Sequence, residues 1–466
     1  MDSLIEHTDR AARGAAIRRD PRGLAISAGA DSAILAVEQA IESMLSYFGD
    51  PLQALDQAIA ADPGWVHPHT LKAAVLLTLA EYEPACEARE CLDRAEGLAR
   101  GANERERAHL VAARTVAQGD WERGCELWDA ILVRWPLDSA ALLFAHLFDF
   151  YRGDALNLRR RPQRVLPHWS RGLPLYGYVL GMQAFGLEES GQYGEAEETG
   201  RAALEVNRRD PWAVHAVAHV HEMQGRHAEG ARWLGTRQAD WAVDNGFAYH
   251  NWFHAALFQL ENMDLAAALD TYDAHLADAT DMALQRVDGT AVLWRLQLLG
   301  VDVDVRFERL AGYWRTEAPD AGFYAFNDLH ALVAGIGAGS SPASAAGRER
   351  LLAALAEPSS AGASNQAMSA QVGLPLARAW LDYARGDWPS AAEGLFRVRD
   401  RAHAFGGSHA QRDILTQTLL DAAIRAGDRA LATHVLNERC PAKASTPLTA
   451  YWRERIGALA AAQPGQ

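Results

Sequence analysis

Residues Tyr176 to Asn207, YGYVLGMQAFGLEESGQYGEAEETGRAALEVN, decide the fold. Two helix-forming segments flank a turn at Gly191, and the aromatic residue Tyr193 follows that turn closely. The small residues Ala196 and Ala203 allow two packed helices to approach each other, whereas the aromatic side chain fills the gap to the next pair of helices. The stretch therefore predicts a helical hairpin that belongs to a repeat array.

Other parts of the chain repeat this pattern. Residues 109–132 and 377–395 carry the same turn of glycine, any residue and an aromatic. Proline marks helix starts at Asp62-Pro63, Trp135-Pro136 and Asp210-Pro211, and the spacings of 73 and 75 residues are about twice the 34-residue tetratricopeptide repeat (TPR) period plus a few residues. No stretch shows the sustained alternation of a strand. We therefore predict an all-α fold, a TPR-like α-α superhelix of helical hairpins that a C-terminal helical layer can close.

Four segments follow from this pattern and from its interruptions. Residues 156–174 are too rich in proline for a continuous helix. The small residues around 334–347 are typical of a linker. The predicted organisation is an irregular lead-in (1–30), a TPR-like helical array with a His-rich groove (31–334), a linker (335–347) and C-terminal helical repeats that pack on the array (348–466).

Charge and composition restrict the partners. The 466 residues carry a formal net charge of -15, and both nucleic acid and an anionic membrane surface require a basic face. No apolar run approaches the length of a membrane span, and the N-terminus has no apolar signal-peptide core. The four cysteines show no disulfide or zinc-finger spacing. We therefore expect a cytoplasmic protein with neither a nucleic-acid nor a membrane partner.

An ordered series of motifs resembles the tetratricopeptide repeat protein 38 family. The series begins with YGYVLGMQAFGLEESG (176–191), WAVHAVAHVHEMQGR (212–226) and HNWFH (250–254). It continues with VDGTAVLWRLQLLG (287–300), FNDLHA (326–331) and GGSHAQRD (406–413). The resemblance covers most of the chain and implies a curved, all-helical repeat fold, but it implies no particular activity.

Histidine is concentrated in the segment from 210 to 277. His215 and His219 lie four residues apart on one helix face, and Glu222 lies three residues further along the same face. His250 and His254 repeat the four-residue spacing in the next hairpin. Since first helices of stacked hairpins line the concave groove, the two pairs are predicted to face each other as the candidate catalytic or metal-binding residues.

Three interpretations of the four histidines stay open. Imidazoles with a carboxylate suit zinc, or iron where carboxylate and imidazole share a site. The same cluster suits a metal-free ligand-binding or catalytic site, because the ordinary histidine pKa is near 6.5. Purely structural histidines in a polar groove are the third interpretation. His221 and His227 are expected to be exposed, and His275 is expected to face outward.

Further polar clusters in apolar helices suggest a lined pocket, because burying such groups without partners costs free energy. Structural ion pairs, such as Arg412 with Asp328 or Asp288, are the alternative. The guanidinium of Arg295 beside an aromatic residue suits either a bound carboxylate or phosphate or a salt bridge between helices. The predicted ligand-binding residues are Glu222, Asn251, Asp288, Arg295, Asp328, His330, His409, Arg412 and Asp413.

The arginine run at 159–164 is the one basic cluster, and a solvated loop or an anion site would both explain it. Nucleotide-binding, HExxH and GxSxG motifs are absent, so we expect no nucleotide cofactor and no serine hydrolase. The predicted function is a TPR-like protein that binds a protein, peptide or small-molecule ligand in a His-rich concave groove. The alternative is an enzyme, such as a metal-dependent hydrolase or oxygenase, that uses His215, His219, His250 and His254.

Overall fold

The computed structural model describes residues 18–317, 319–339, 341–357, 362–443 and 446–462. Within these ranges the chain is almost entirely helical, and the only sheet is an antiparallel pair, β1 (Arg18–Arg19) and β2 (Ala25–Ile26), in which Arg18 lies opposite Ile26. The predicted irregular lead-in therefore contains this short hairpin from residue 18 onward. Its first 17 residues lie outside the described part of the chain.

The helices follow one another as packed hairpins. Those of the array are α1 (Asp31–Ser46), α2 (Pro51–Ala61), α3 (Val66–Leu77), α4 (Tyr82–Leu98), α5 (Glu104–Ala117), α6 (Trp121–Arg134), α7 (Ser139–Tyr151), α8 (Ala155–Val165), α9 (Tyr176–Glu189), α10 (Tyr193–Val206), α11 (Pro211–Met223), α12 (His227–Thr236), α13 (Gln238–Trp241), α14 (Ala248–Glu261), α15 (Leu265–His275) and α16 (Ala283–Leu298). The later helices are α17 (Asp304–Ala311), α18 (Ala325–Gly337), α19 (Pro342–Ala356), α20 (Ala363–Met368), α21 (Leu374–Ala384), α22 (Trp388–Val398), α23 (His409–Arg425), α24 (Arg429–Lys443) and α25 (Pro447–Ala462).

The C-terminal helices return to the middle of the array. Helix α23 packs against α11 and α16, α24 packs against α11, and α25 packs against α14. The predicted all-α, TPR-like superhelix is thus confirmed, and its C-terminal helical layer lies over α11, α14 and α16. None of the helices in the described ranges combines the length and the hydropathy of a membrane span.

The hairpin of α9 and α10 shows why the quoted stretch folds as it does. Gly191 adopts a φ of 74°, a left-handed conformation that glycine accepts without steric cost. Ala196 and Ala203 are completely buried. On the other side of α9, Gly186 lets the backbone of α8 approach so closely that an added Cβ would lie 2.5 Å from the Cα atom of Arg159.

A Gly186→Ala variant is therefore expected to lose about 1–3 kcal/mol of unfolding free energy, because the added methyl group meets backbone atoms that cannot rotate away. Gly194→Ala is the matched control, since nothing lies within 4 Å of a Cβ at that position in α10. Alanine is the better helix former by about 1 kcal/mol, so this variant should be slightly stabilised. Urea unfolding followed by circular dichroism measures both, and equal stabilities would contradict the close contact between α8 and α9.

One segment differs from its predicted structure. The predicted linker (335–347) is mostly helical, because α18 extends to Gly337 and α19 begins at Pro342 behind the N-cap Ser341. The proline-rich segment (156–174) is not a continuous helix, as predicted, because α8 includes Pro162 but ends at Val165. Packing explains this helix, since Leu158 and Val165 are buried against the array.

The arginine run lies on α8 and is neither a solvated loop nor an open anion site. Arg161 is buried and pairs with Asp149 and with Asp129, the latter at 2.9 Å. Arg164 pairs with Asp129 at 3.0 Å. These carboxylates come from α6 and α7, so the basic residues join α8 to its neighbours.

Candidate metal centre

The first helices of two successive hairpins, α11 and α14, carry the four candidate histidines. Asp210 caps α11 by accepting hydrogen bonds from the backbone N–H groups of Trp212 and Ala213, and Pro211 occupies the first helical position. This start orients His215 and His219 toward α14. The prediction that the two histidine pairs face each other therefore agrees with the structure.

The four imidazole rings form one compact cluster. Ring centroids lie 4.3 Å apart for His215 and His219, and 4.4 Å apart for His219 and His254. The centroid of His250 lies 4.8 Å from that of His215. All four side chains are buried, between 0% and 7% exposed. They lie beneath the C-terminal helices and line none of the clefts found in the described part of the chain.

The ring nitrogens converge. One nitrogen from each of the four rings lies within 4.8 Å of the corresponding nitrogens of the others. The Nε2 atoms of His215 and His250 are 3.1 Å apart, close to the edge of about 3.3 Å that follows from tetrahedral zinc with Zn–N bonds of about 2.0–2.1 Å. Both nitrogens of His219 and the Nε2 atom of His254 are buried without a hydrogen-bond partner. The cluster therefore has the nitrogen donors and the spacing of a metal site.

Carboxylates lie on the far side of three of the rings. His250 Nδ1 donates to Asp288 Oδ2 at 2.6 Å, and His254 Nδ1 donates to Glu222 Oε2 at 3.0 Å. Glu188 Oε2 lies 3.3 Å from His219 Nδ1. In each pair the carboxylate is at Nδ1, which leaves Nε2 for the centre of the cluster. Carboxylates behind histidine ligands fix the tautomer and the ring orientation in known metal sites.

Burial sets the protonation of these groups. Desolvation lowers the pKa of His215 and His254 well below the ordinary value, and the neighbouring imidazoles add to this effect. Desolvation also lowers the pKa of His219 to about 4. The three rings are therefore neutral at pH 7, the form that binds metal. Burial and the adjacent Glu189 raise the pKa of Glu188 well above its usual range.

A buried ion-pair network continues from the cluster into the C-terminal layer. The second oxygen of Glu222 accepts a hydrogen bond from Lys443 Nζ at 3.0 Å. Lys443 also donates to Glu261 at 3.1 Å, and Arg439 pairs with Glu261 and Asp413. The network raises the pKa of Lys443 above its ordinary value despite burial, chiefly through Glu222 and Glu261. The cluster and the C-terminal layer are thus joined by charge as well as by packing.

Several members of this site were not predicted from the sequence. They are Glu188, Glu189, Glu261, Arg439 and Lys443. A signal existed for two of them. Glu188 and Glu189 are two adjacent acidic residues within the stretch that defines the repeat. Both are buried in the structure. Lys443 is one of two lysines in a chain that otherwise uses arginine, but nothing in the sequence connects it to Glu222.

The predicted ligand-binding residues fall into separate groups. Glu222 and Asp288 belong directly to the cluster, and Asp288 also accepts a hydrogen bond from Gln411 at 3.2 Å. Asn251 is completely buried on α14. Arg295 is buried and donates hydrogen bonds to the backbone carbonyl groups of Ala291 and Ala410.

The FNDLHA motif forms local contacts away from the cluster. Both carboxylate oxygens of Asp328 accept from the backbone N–H of Gly322, and His330 Nδ1 donates to the carbonyl oxygen of Phe326 at 2.8 Å. Burial raises the pKa of Asp328 to about 7. The alternative in which Arg412 pairs with Asp328 or Asp288 is wrong, because Arg412 lies 3.5 Å from Glu189.

The remaining three residues share a cleft. His409, Arg412 and Asp413 line a cavity of about 260 Å³, together with Arg439 and Lys443. Its wall touches a carboxylate beside the histidine cluster, because the backbone N–H of His409 donates to Glu189 at 3.0 Å. The structure therefore places these residues behind the histidine cluster and not among its rings.

The other three histidines of the segment lie outside the cluster. His221 was expected to be exposed and is buried, because it packs near Trp233 at 6.1 Å between ring centroids. His275 is exposed as expected and stacks on Trp252 at 3.7 Å. His227 is half-buried at the start of α12.

These features define the class as TPR-like helical repeat proteins with a buried histidine cluster. No protein-family model matches the sequence. Similar solved structures include the human IFIT1 dimer with m7Gppp-AAAA, at 14% identity over 94% of this chain and 97% of that chain, with a TM-score of 0.43. They also include the human IFIT1 dimer with PPP-AAAA, at 15% identity over 91% of this chain and 100% of that chain, with a TM-score of 0.38.

Proposed function

We propose that this TPR-like protein binds one divalent transition-metal ion, zinc, through the Nε2 atoms of His215, His219, His250 and His254. The observation that carries the proposal is the convergence of four buried imidazoles whose Nδ1 atoms face carboxylates in three cases. Among the proposed ligand atoms, Nε2 of His219 and Nε2 of His254 are buried without a hydrogen-bond partner, and Nε2 of His215 lies 3.1 Å from Nε2 of His250.

The charge balance of the surrounding network supports a bound cation. Six carboxyl groups surround the cluster (Glu188, Glu189, Glu222, Glu261, Asp288 and Asp413), against four basic side chains (Arg295, Arg412, Arg439 and Lys443). A divalent ion among the imidazoles would offset this excess. Without the ion, the raised pKa of Glu188 indicates that this carboxyl group takes up a proton instead.

Zinc fits because four protein nitrogens complete a tetrahedral shell, as in structural zinc sites. In this role the ion ties α11 to α14 beneath the C-terminal layer. It thereby stabilises the inner wall of the superhelix.

Metal content measured by mass spectrometry tests the proposal. Protein purified without a histidine tag is expected to hold about one zinc ion per chain, as four protein ligands imply, and a His215→Ala/His250→Ala double variant is expected to hold none. His434→Ala is the matched control, because this histidine is 58% exposed on α24 and should keep the metal. Wild-type protein that stays metal-free after incubation with zinc would contradict the proposal.

An Asp288→Asn variant tests the carboxylate arrangement without removing a ligand. It is expected to weaken zinc binding about tenfold to a hundredfold, the usual effect of altering a hydrogen-bond partner of a ligating histidine. Competition with a chromophoric chelator measures the affinity. Unchanged affinity would mean that His250 is not a ligand.

A metal-dependent enzyme, such as a hydrolase or oxygenase, is the second candidate. The cleft of His409, Arg412 and Asp413 favours it, since its wall contacts the carboxylates of the cluster. Iron bound by four histidines would keep positions open for substrate or oxygen, whereas tetrahedral zinc would not. Iron in the purified protein would therefore favour the enzyme.

The motif series further supports membership of the tetratricopeptide repeat protein 38 family. We propose that a protein, peptide or small molecule is the ligand, bound at the cleft of His409, Arg412 and Asp413 rather than at the buried histidines.

The net charge of -15 supports a partner other than nucleic acid. The four cysteines are free thiols, which supports a cytoplasmic location.

A further inference from the structure

A second cleft, remote from the four histidines in its lining, lies between two groups of C-terminal helices. Helices α16, α18 and α19 form one side, and α21, α22 and α23 form the other. The cleft has a volume of about 540 Å³, within the range of small-molecule sites. Its lining combines three aromatic residues and three arginines with one carboxylate, that of Glu349.

The aromatic residues form a continuous wall. The ring of Tyr383 lies 5.6 Å from Trp294 and 4.9 Å from Trp388, edge to face in both pairs. Their polar atoms already have partners inside the protein, because Trp294 Nε1 donates to Thr418 at 2.9 Å and the hydroxyl of Tyr383 donates to Asp421. What the wall offers to a ligand is therefore ring surface, chiefly that of the half-buried Trp388, since Trp294 and Tyr383 are only 2% and 8% exposed.

Arg348 supplies an unneutralised positive charge. One of its terminal nitrogens donates to the carbonyl oxygens of Gly335 and Gly339, both at 2.7 Å. These neutral acceptors at the end of α18 fix the guanidinium but do not cancel its charge. Within the described residues Arg348 has no carboxylate partner at ion-pair distance, whereas Arg425 pairs with Asp421 at 2.5 Å.

We propose that this cleft binds a small, planar aromatic anion. Its ring packs against Trp294, Tyr383 and Trp388, and its carboxylate or sulfonate group accepts hydrogen bonds from Arg348. Guanidinium groups suit such planar anions because they donate two parallel hydrogen bonds. Because the chain has a net charge of -15, most of its surface repels anions. An anionic ligand is therefore expected to bind at this cleft in preference to the rest of the surface.

Calorimetric titration with naphthalene-2-carboxylate and its neutral analogue naphthalene-2-carboxamide tests the proposal. Wild-type protein is expected to bind the carboxylate at least tenfold more tightly than the amide, the order that one charge-assisted hydrogen bond provides. Raising the salt concentration should weaken binding of the carboxylate only. Equal affinity for the two probes, or no binding of either at millimolar concentration, would overturn the proposal.

Two variants locate the site. Arg348→Met is expected to remove the preference for the carboxylate while binding of the amide persists. Arg350→Met is the matched control on the same helix, because Arg350 bonds Thr316 and does not line the cleft. Trp388 is half-buried at the rim of the cleft. A Trp388→Leu variant, in which Arg348 is unchanged, should weaken the binding of both probes. A preference that survives Arg348→Met, or unchanged binding in Trp388→Leu, would place the ligand elsewhere.

Discussion

A Lys443→Met variant is expected to lose about 3–5 kcal/mol of unfolding free energy, the usual cost of removing one partner from a buried ion pair. Lys443 is 3% exposed and donates to both Glu222 and Glu261. Its removal leaves Glu222 without a basic partner in the interior, and only His254 still donates to that carboxylate. Urea unfolding at pH 7 measures the loss.

Arg397→Met is the control for this variant. Arg397 pairs with Glu393 on the surface of α22, where the two side chains are 72% and 62% exposed. Exposed pairs contribute about 0–1 kcal/mol, so the control should match the wild type closely. A Lys443→Met/Glu222→Gln double variant is expected to recover part of the loss, because it removes the unpaired charge. Wild-type stability in Lys443→Met itself would mean that these carboxyl groups are protonated and require no cation.

The second large effect is acid destabilisation of the metal-free protein between pH 6.5 and about 4. Desolvation lowers the pKa of seven buried histidines, to about 3 or 4 in His146, His219, His221 and His330 and well below the ordinary value in the other three, whereas histidines in the unfolded chain titrate near 6.5. The seven are His67, His146, His215, His219, His221, His254 and His330. The unfolded chain therefore binds more protons in this window, and the unfolding free energy falls as the pH falls.

Four buried carboxyl groups act in the opposite direction. Burial raises the pKa of Asp210 and Asp328 to about 7, that of Glu188 well above its usual range and that of Asp149 above its ordinary value. These groups hold protons that the unfolded chain releases above about pH 4, so they destabilise the fold as the pH rises. The histidines outnumber them, and each excess proton changes the free energy by about 1.4 kcal/mol per pH unit. The net change is a loss on acidification.

Urea unfolding of chelator-treated protein at pH 7, 6 and 5 measures this dependence. A His146→Phe variant provides a comparison, because both ring nitrogens of His146 lack partners and the ring contacts Phe185 and Trp212. It should reduce the slope by about one proton, or 1.4 kcal/mol per pH unit. Stability that is constant or rises from pH 7 to pH 5 would contradict the predicted dependence.

The fold and the four histidines were predictable for a common reason. Helical periodicity and turn glycines such as Gly191 act over short distances, so the sequence displays them directly. The four-residue spacing of His215 and His219, repeated in His250 and His254, fixes one face on each of two adjacent helices. Stacking of successive hairpins then brings those faces together.

Long-range partners were not predictable, because no short-range pattern connects them. The pairing of Glu222 with Lys443 depends on how the C-terminal layer packs on α11. The helical structure of the predicted linker has the related cause that tertiary packing overrides local propensity. His221 was assigned to the surface from its position on α11, but it is buried near Trp233 of α12, the second helix of the same hairpin.

The ion pair between Glu222 and Lys443 can form only late in the synthesis of the chain. The two residues are 221 positions apart, so at about 5–20 residues per second the ribosome adds Lys443 roughly 10–45 s after Glu222. For most of this interval the growing chain holds the carboxylates of α9, α11 and α14 without their basic partners, because Arg412, Arg439 and Lys443 all belong to the last helices. The inner wall of the superhelix is therefore completed last, when the final helices dock.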